Sequence, residues 1–448
     1  MFSQKTHQQI YFWVLTYLCF SVPFMSKWLP FTIGVVALAL NFLLEGNLLS
    51  KLKKASAEPW ALLLILFYGL HLVSVTYSTN ISEANRDIFL KLPLLILPLS
   101  LHSVSISKEQ KNRLFITWIL ATCAAAIIIL IQAYFNVQST GLSKYWFYSD
   151  LAGGKHPAYF SMYCVTAIVL LFQDKFEKWK ALPLVLLPPM VFLLSSRMQI
   201  VVLLILGGIF FIQQLFRRKK TGITMALLFF AFLFTTSMFE GEFLKNTRIS
   251  KLLVDVNSLF SSENKSIRVM IWQSSIDVLD ENWVLGFGSG AENENLNKFL
   301  QEKVTLSNKQ EAEEVERLTK NESFMERIKL QSARKNIELS QAIETYVLWS
   351  LRKNSTNSYD KFYKHHYNYH NQFLQSWATA GILCLLTLFA IFFIAVKKGI
   401  QYKNLTLLAI AFLIAMSFMS ESMLERQYGV IYFSLMLPLI LLDARKSA

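Results

Sequence analysis

Apolar runs that approach the roughly 20 residues of a membrane-crossing helix recur from one end of this chain to the other. They lie near 9–25, 29–44, 59–77, 88–103, 114–134, 157–172, 181–195, 198–216, 222–238, 374–396, 404–420 and 428–442. The composition agrees, with 54% hydrophobic and 17% charged residues, where a soluble domain carries about a quarter charged. A nucleic-acid binder with a formal charge of +14 would not also be this apolar. The expected fold class is therefore all-α: a polytopic integral membrane protein with about 12 transmembrane helices. The cysteines, Cys19, Cys123, Cys164 and Cys384, sit inside apolar runs and form no CxxC or disulfide framework.

An even number of spans puts both termini on one side, and the basic residues say which. With a cytoplasmic N-terminus, the inside segments carry 19 Lys and Arg and the short outside segments carry 6. The +14 is thus mostly a topology signal. The first run has no small-residue cleavage site before the next one, so it reads as an anchor. Between the ninth and tenth spans lies a polar insertion at 239–373, which this count places outside. The organisation is spans 1–9 over 1–238, the loop over 239–373 and spans 10–12 over 374–448. Residues 292–353 lack Pro and Gly and predict one or two amphipathic helices, making the loop mostly helical. The loop balances 18 basic against 19 acidic residues, so any anion recognition there depends on where single arginines sit.

Several polar constellations fall on the outside face. His365, His366 and His370 crowd the point where the insertion re-enters the membrane. They are read as a metal site, an interfacial aromatic and histidine belt, or a catalytic imidazole. Arg197 follows Ser195-Ser196 at a hairpin tip between two spans, as a snorkelling anchor or as a fixed cation for an anionic group. Arg268 and Trp272 are one helical turn apart and lead to Gly286-Phe287-Gly288-Ser289-Gly290. Alternate glycines at 286, 288 and 290 offer backbone N–H groups to an anion or make an ordinary turn, and no strand-turn-helix dinucleotide unit surrounds them. Lys155 and His156 open the sixth span, while Arg86, Asp87 and Lys91 lie at the outer end of the fourth, as caps or snorkelling cations.

Together these positions resemble the O-antigen ligase/polymerase superfamily of bacterial membrane glycosyltransferases. The resemblance rests on about a dozen spans, one large loop late in the chain, Ser196-Arg197 at a hairpin tip, Arg268 with Trp272 before Gly286 to Gly290, and His370-Asn371-Gln372-Phe373-Leu374-Gln375 leading to Gly381-Ile382. The chain departs from the family in having Asn282-Trp283-Val284-Leu285 where a proline often precedes the glycines, and in its longer insertion.

The resemblance implies transfer of a glycan from undecaprenyl pyrophosphate to an acceptor hydroxyl, with lipid A-core oligosaccharide as the expected acceptor. It places the protein in the bacterial inner membrane, with both termini cytoplasmic and the active face periplasmic. His370 is expected as general base, and Arg268 and Arg197 as the cations that stabilise the departing pyrophosphate. His156, Lys155, Arg86, Trp272, Gly288 and Asn371 are expected to line the substrate. No metal, cofactor or nucleic acid is expected, and inversion at the anomeric carbon follows from direct displacement. A ligase, a polymerase and a protein O-oligosaccharyltransferase share these motifs. A secondary transporter also has about twelve spans, but its site would lie at the bilayer midplane.

Overall fold

A computed structural model describes residues 3–25, 30–153, 156–173, 181–216, 267–280, 282–320 and 367–444, with isolated positions between 325 and 339. The predicted span at 222–238 lies outside the described residues, as do Lys155, His365, His366 and the basic residues at 175–180, 217–220 and 445–446. Among the described residues, regular structure is helical throughout.

Sixteen described α-helices are numbered in chain order. They are α1 Gln4–Phe24, α2 Phe31–Leu44, α3 Leu48–Ser56, α4 Pro59–Ser74, α5 Ile81–Lys91, α6 Pro93–Ser103, α7 Lys108–Thr140, α8 Tyr148–Leu151, α9 Pro157–Leu171, α10 Ala181–Leu193, α11 Arg197–Phe216, α12 Ile267–Leu279, α13 Glu292–Thr319, α14 Gln372–Gln401, α15 Leu405–Ser420 and α16 Gln427–Ala444. Their ends carry local signals. Ser107 and Gln110 form a capping box at the start of α7, and Gly141 closes that helix in the left-handed region. Asn371 and Asn404 cap α14 and α15 by accepting backbone N–H groups, while Pro59 and Pro157 stand at N1 of α4 and α9.

The expectation of about twelve spans is met only in part. Among the described residues, three segments suffice by length and composition to cross a membrane: Pro59–Tyr77, Lys108–Thr140 and Gln372–Gln401. A fourth is the pair α2 and α3, bent by 116° at Glu45–Asn47. Five further apolar segments are shorter, Pro157–Leu171, Ala181–Leu193, Arg197–Phe210, Leu405–Ser420 and Gln427–Leu442, and a helix of 15 residues rises only about 22 Å against a hydrocarbon core of ~30 Å. Proline explains one division. The run at 88–103 breaks at Leu92 because Pro93 has no N–H to continue α5.

Contacts sort the helix ends into two groups. At one end, Lys51 pairs with Glu45 (2.8 Å), Lys398 pairs with Glu58 (3.4 Å), and Gln8 donates to the Ser103 carbonyl (3.0 Å). These belong to the basic, predicted-inside segments. At the other end lie the start of α5, the starts of α9, α11 and α14, the turn after α15, and, of the insertion, α12, the glycine turn and the start of α13.

The insertion is docked by its glycine turn, which packs against a break in α14. Ala380 and Gly381 leave helical geometry, Gly381 at φ +75°. The broken ladder is repaired from the turn: Phe287 N–H donates to the Ala378 carbonyl (2.7 Å), Gly288 N–H to Thr379 (3.0 Å), and Ile382 N–H to Trp283 (3.1 Å). Irregular backbone at membrane depth persists only where such partners exist. A Cβ on Gly381 would stand 1.8 Å from the Val284 carbonyl oxygen, so only glycine fits this approach.

Candidate active site

The site centres on a residue absent from the sequence reading, Glu421, which follows the last residue of α15. Its carboxylate is buried and draws together three of the predicted groups from distant parts of the chain. Arg268, on α12, donates from Nη2 to Oε1 at 2.6 Å. His370, just before the Asn371 cap of α14, has Nδ1 3.3 Å from Oε2. His156, just before α9, places Nε2 3.8 Å from Oε1. Arg268, His370 and His156 each keep part of their side chain exposed, so the cluster opens to the surface.

Local geometry explains each placement. His370 adopts φ +45°, a conformation that costs a non-glycine residue energy and persists where surrounding bonds enforce it. The enforcing bonds are visible. Asn297 of α13 clamps the backbone of Tyr367 in both directions (2.9 and 3.0 Å), and the Tyr369 hydroxyl donates to the Glu292 carbonyl (3.2 Å). The turn bearing Glu421 is held by Gln372, whose Oε1 accepts Leu424 N–H at 2.6 Å, and by the Tyr163 hydroxyl, which donates to the Tyr428 carbonyl at 3.0 Å.

Electrostatics bias the charge states of Glu421 and His156. Burial works against the charge on Glu421. The hydrogen bond from His370 and the charges of Arg268 and His156 outweigh it, holding the carboxyl below its ordinary range. Burial pulls His156 downward, more strongly than Glu421 raises it, which favours the neutral imidazole. The arrangement therefore presents one anion, one permanent cation and two imidazoles at a partly open surface.

Beside this cluster lies a second, buried one. Lys91 is fully enclosed and bonds Asp87 and Glu425, the latter at 3.0 Å. Ser289 of the glycine turn donates its hydroxyl to Asp87 and its N–H to the Ser74 hydroxyl oxygen (3.1 Å). Burial and the neighbouring carboxylates Glu425 and Asp87 push Glu292 upward despite Lys91. Asp87 and Lys91, expected as caps or snorkelling cations, thus form a pin between α5, the glycine turn and the turn after α15.

The remaining predicted residues are placed as follows. Arg197 begins α11, which packs on α15 and is fixed there by Gln199 donating to Ser417 (2.7 Å), one turn before Glu421. Trp272 packs in a small core under the insertion with Leu374 and Trp377, its Nε1 buried and without a hydrogen-bond partner among the described residues. Asn371 uses its side chain to cap α14, accepting from Phe373 and Leu374 N–H. Arg86 is exposed and pairs with Glu83 of its own helix at 3.2 Å. Gly288, at φ +88°, lies so close to Ser78 that a Cβ would meet its Cα at 2.6 Å. The N–H groups of residues 287 to 289 are all taken by protein acceptors, so the glycines here serve close docking of the turn.

The class defined by fold and site is a helical, apolar membrane protein with a polar, partly open centre gathered at one end of its helices. Residues 182–313 match the family model described as O-Antigen ligase, which supports placing the chain in the O-antigen ligase/polymerase superfamily. The matched segment includes Arg197, Arg268 and the glycine turn and ends before His370 and Glu421. No curated protein sequence matches the chain.

Glu421 and Glu425 were missed because neither belongs to a motif. One signal was present: two carboxylates in the seven-residue stretch Ser420-Glu421-Ser422-Met423-Leu424-Glu425-Arg426, between two apolar runs where acidic groups are costly.

Proposed function

We propose that this protein is a glycosyltransferase of the O-antigen ligase type. It would move a glycan from undecaprenyl pyrophosphate to an acceptor hydroxyl, that of lipid A-core oligosaccharide, at the periplasmic face of the bacterial inner membrane. The observation that carries the proposal is the Glu421 carboxylate gathering His370, Arg268 and His156.

The chemistry follows from that arrangement. With Nδ1–H directed to Glu421, His370 has Nε2 as its basic nitrogen. Nε2 removes the proton of the acceptor hydroxyl as the oxygen bonds the anomeric carbon. The bond from that carbon to the pyrophosphate breaks, and its electron pair leaves on the phosphate oxygen. Glu421 stabilises the imidazolium that forms, as the carboxylate does in a carboxylate–histidine–nucleophile relay. Arg268, with five guanidinium donors of which Glu421 engages one nitrogen, retains donors for the pyrophosphate. Arg197 approaches the same end from α11. Attack from the face opposite the leaving group inverts the anomeric carbon.

The deciding experiment replaces the chromosomal gene with His370→Ala, Arg268→Ala or Arg268→Lys variants and examines lipopolysaccharide and carrier-bound glycan. Each variant is expected to remain in the membrane, to leave rough lipopolysaccharide and to accumulate carrier-linked polymer. Full-length capped lipopolysaccharide in the His370→Ala strain would refute the reading. Lipopolysaccharide capped with a single repeat unit would instead assign the same centre to polymerisation.

A further inference from the structure

His370 and Glu421 are 51 positions apart, yet their contact depends on two backbone turns being held at one spacing. One side chain touches both turns. Gln375 stands one turn into α14 and is completely buried. Its Oε1 accepts the N–H of Tyr369, the residue before His370, at 3.3 Å, and the hydroxyl of Ser422, the residue after Glu421, at 3.3 Å. Its Nε2 donates to Glu292 Oε1 at 2.9 Å and lies 3.4 Å from Asn293 Oδ1. A single amide thus links the turn of the imidazole, the turn of the carboxylate and the start of α13.

Resting on the reading above, we propose that Gln375 is a positioning residue that sets the His370–Glu421 contact. An amide suits this place chemically. It supplies an acceptor to two donors and a donor to a carboxyl group without adding charge beside Glu292, behind which lie Glu425, Asp87 and Lys91. Leucine has nearly the same volume and none of these bonds. Glutamate has the same shape, but mimics the amide only while protonated, when its O–H donates to Glu292 and its carbonyl oxygen accepts. Once ionised, it sets a second carboxylate against Glu292 in a buried setting.

The test uses the full-length protein in lipid nanodiscs, with lipid-linked glycan as donor and rough lipopolysaccharide as acceptor. Gln375→Leu is expected to lower kcat by about 10- to 100-fold with the donor KM little changed, the effect of a misplaced base. In the Gln375→Leu background, adding Glu421→Gln is expected to cost about 10- to 100-fold less than it does in the unaltered protein, because the His370 contact is already lost and only the Arg268 contact remains to be removed. The activity of Gln375→Glu relative to the unaltered protein is expected to fall steadily between about pH 6 and pH 9, as the introduced carboxyl ionises. A Gln375→Leu enzyme of full activity, losses that multiply in the double variant, or a Gln375→Glu ratio independent of pH would each overturn the positioning role. Should Gln375→Leu not fold, the pH dependence of Gln375→Glu decides alone. His370→Ala, run in parallel, separates the two levels. If it is inactive while Gln375→Leu is fully active, only the positioning role fails; if it is fully active, the underlying reading fails as well.

Discussion

His370 Nδ1 lies 3.3 Å from Glu421 Oε2, so an imidazole at the start of one helix is oriented by a carboxylate at the end of another. The same carboxylate holds Arg268 on its second oxygen. An imidazole and a guanidinium are thereby kept at a fixed separation, the condition that electrostatic preorganisation of the proposed transfer requires.

Glu421→Gln keeps the shape of this hub and removes its charge. The imidazolium formed during transfer then lacks its counter-charge, and the amide can present its NH2 to His370 and select the wrong tautomer. We expect kcat to fall by about 10²- to 10⁴-fold, with the protein still folded and inserted. Steady-state transfer rates measure this, and an undiminished kcat would show that the His370–Glu421 contact is not used.

Acid is expected to destabilise the protein in two stages. His156 is depressed from 6.5 in the folded state, so the unfolded chain takes up its proton first, and stability declines as pH drops below 6.5. Glu421 is held below 4.5, so its contribution is complete above 4.5 and is lost as pH falls through the lower folded value. Thermal unfolding in detergent across this range reads both stages. His156→Gln should remove the first decline and Glu421→Gln the second, whereas a melting temperature that rises on acidification below 6.5 would contradict the assignment.

The glycines of the docking turn should not tolerate a methyl group. Gly288→Ala sets a Cβ 2.6 Å from the Ser78 Cα at φ +88°, and Gly381→Ala sets one 1.8 Å from the Val284 carbonyl oxygen at φ +75°. Backbone strain alone costs about 1–3 kcal/mol at such positions, and the steric overlap adds to it. Gly207→Ala, in α11 with nothing within 4 Å, should instead stabilise by about 0.5–1 kcal/mol. Melting temperatures of the three variants give the comparison.

Transfer driven by guanidinium groups needs no divalent cation. Extensive chelation by EDTA is therefore expected to leave the initial rate of purified protein unchanged. A rate abolished by EDTA and restored by magnesium would assign pyrophosphate stabilisation to a metal in place of Arg268 and Arg197.

By itself the sequence determined the class of fold and the chemical types at the site. Apolar runs limit the chain to helices because lipid offers no partner to backbone groups. The contrast of 19 against 6 basic residues separates two sets of loops, and the described contacts of Lys51 and Lys398 fall at the end opposite His370. Arg268, His370 and His156 were legible as residue types on one face. Tertiary structure alone decided that they meet, and on which carboxylate. Glu421 lies 153 positions from Arg268 and 51 from His370, and no periodicity or local propensity encodes a meeting at such separations. The glycine turn shows the same limit. Alternate glycines are compatible with an anion cradle and with close backbone docking, and the choice went to docking because the break at Ala380–Gly381 left carbonyls of α14 that the N–H groups of the turn satisfy.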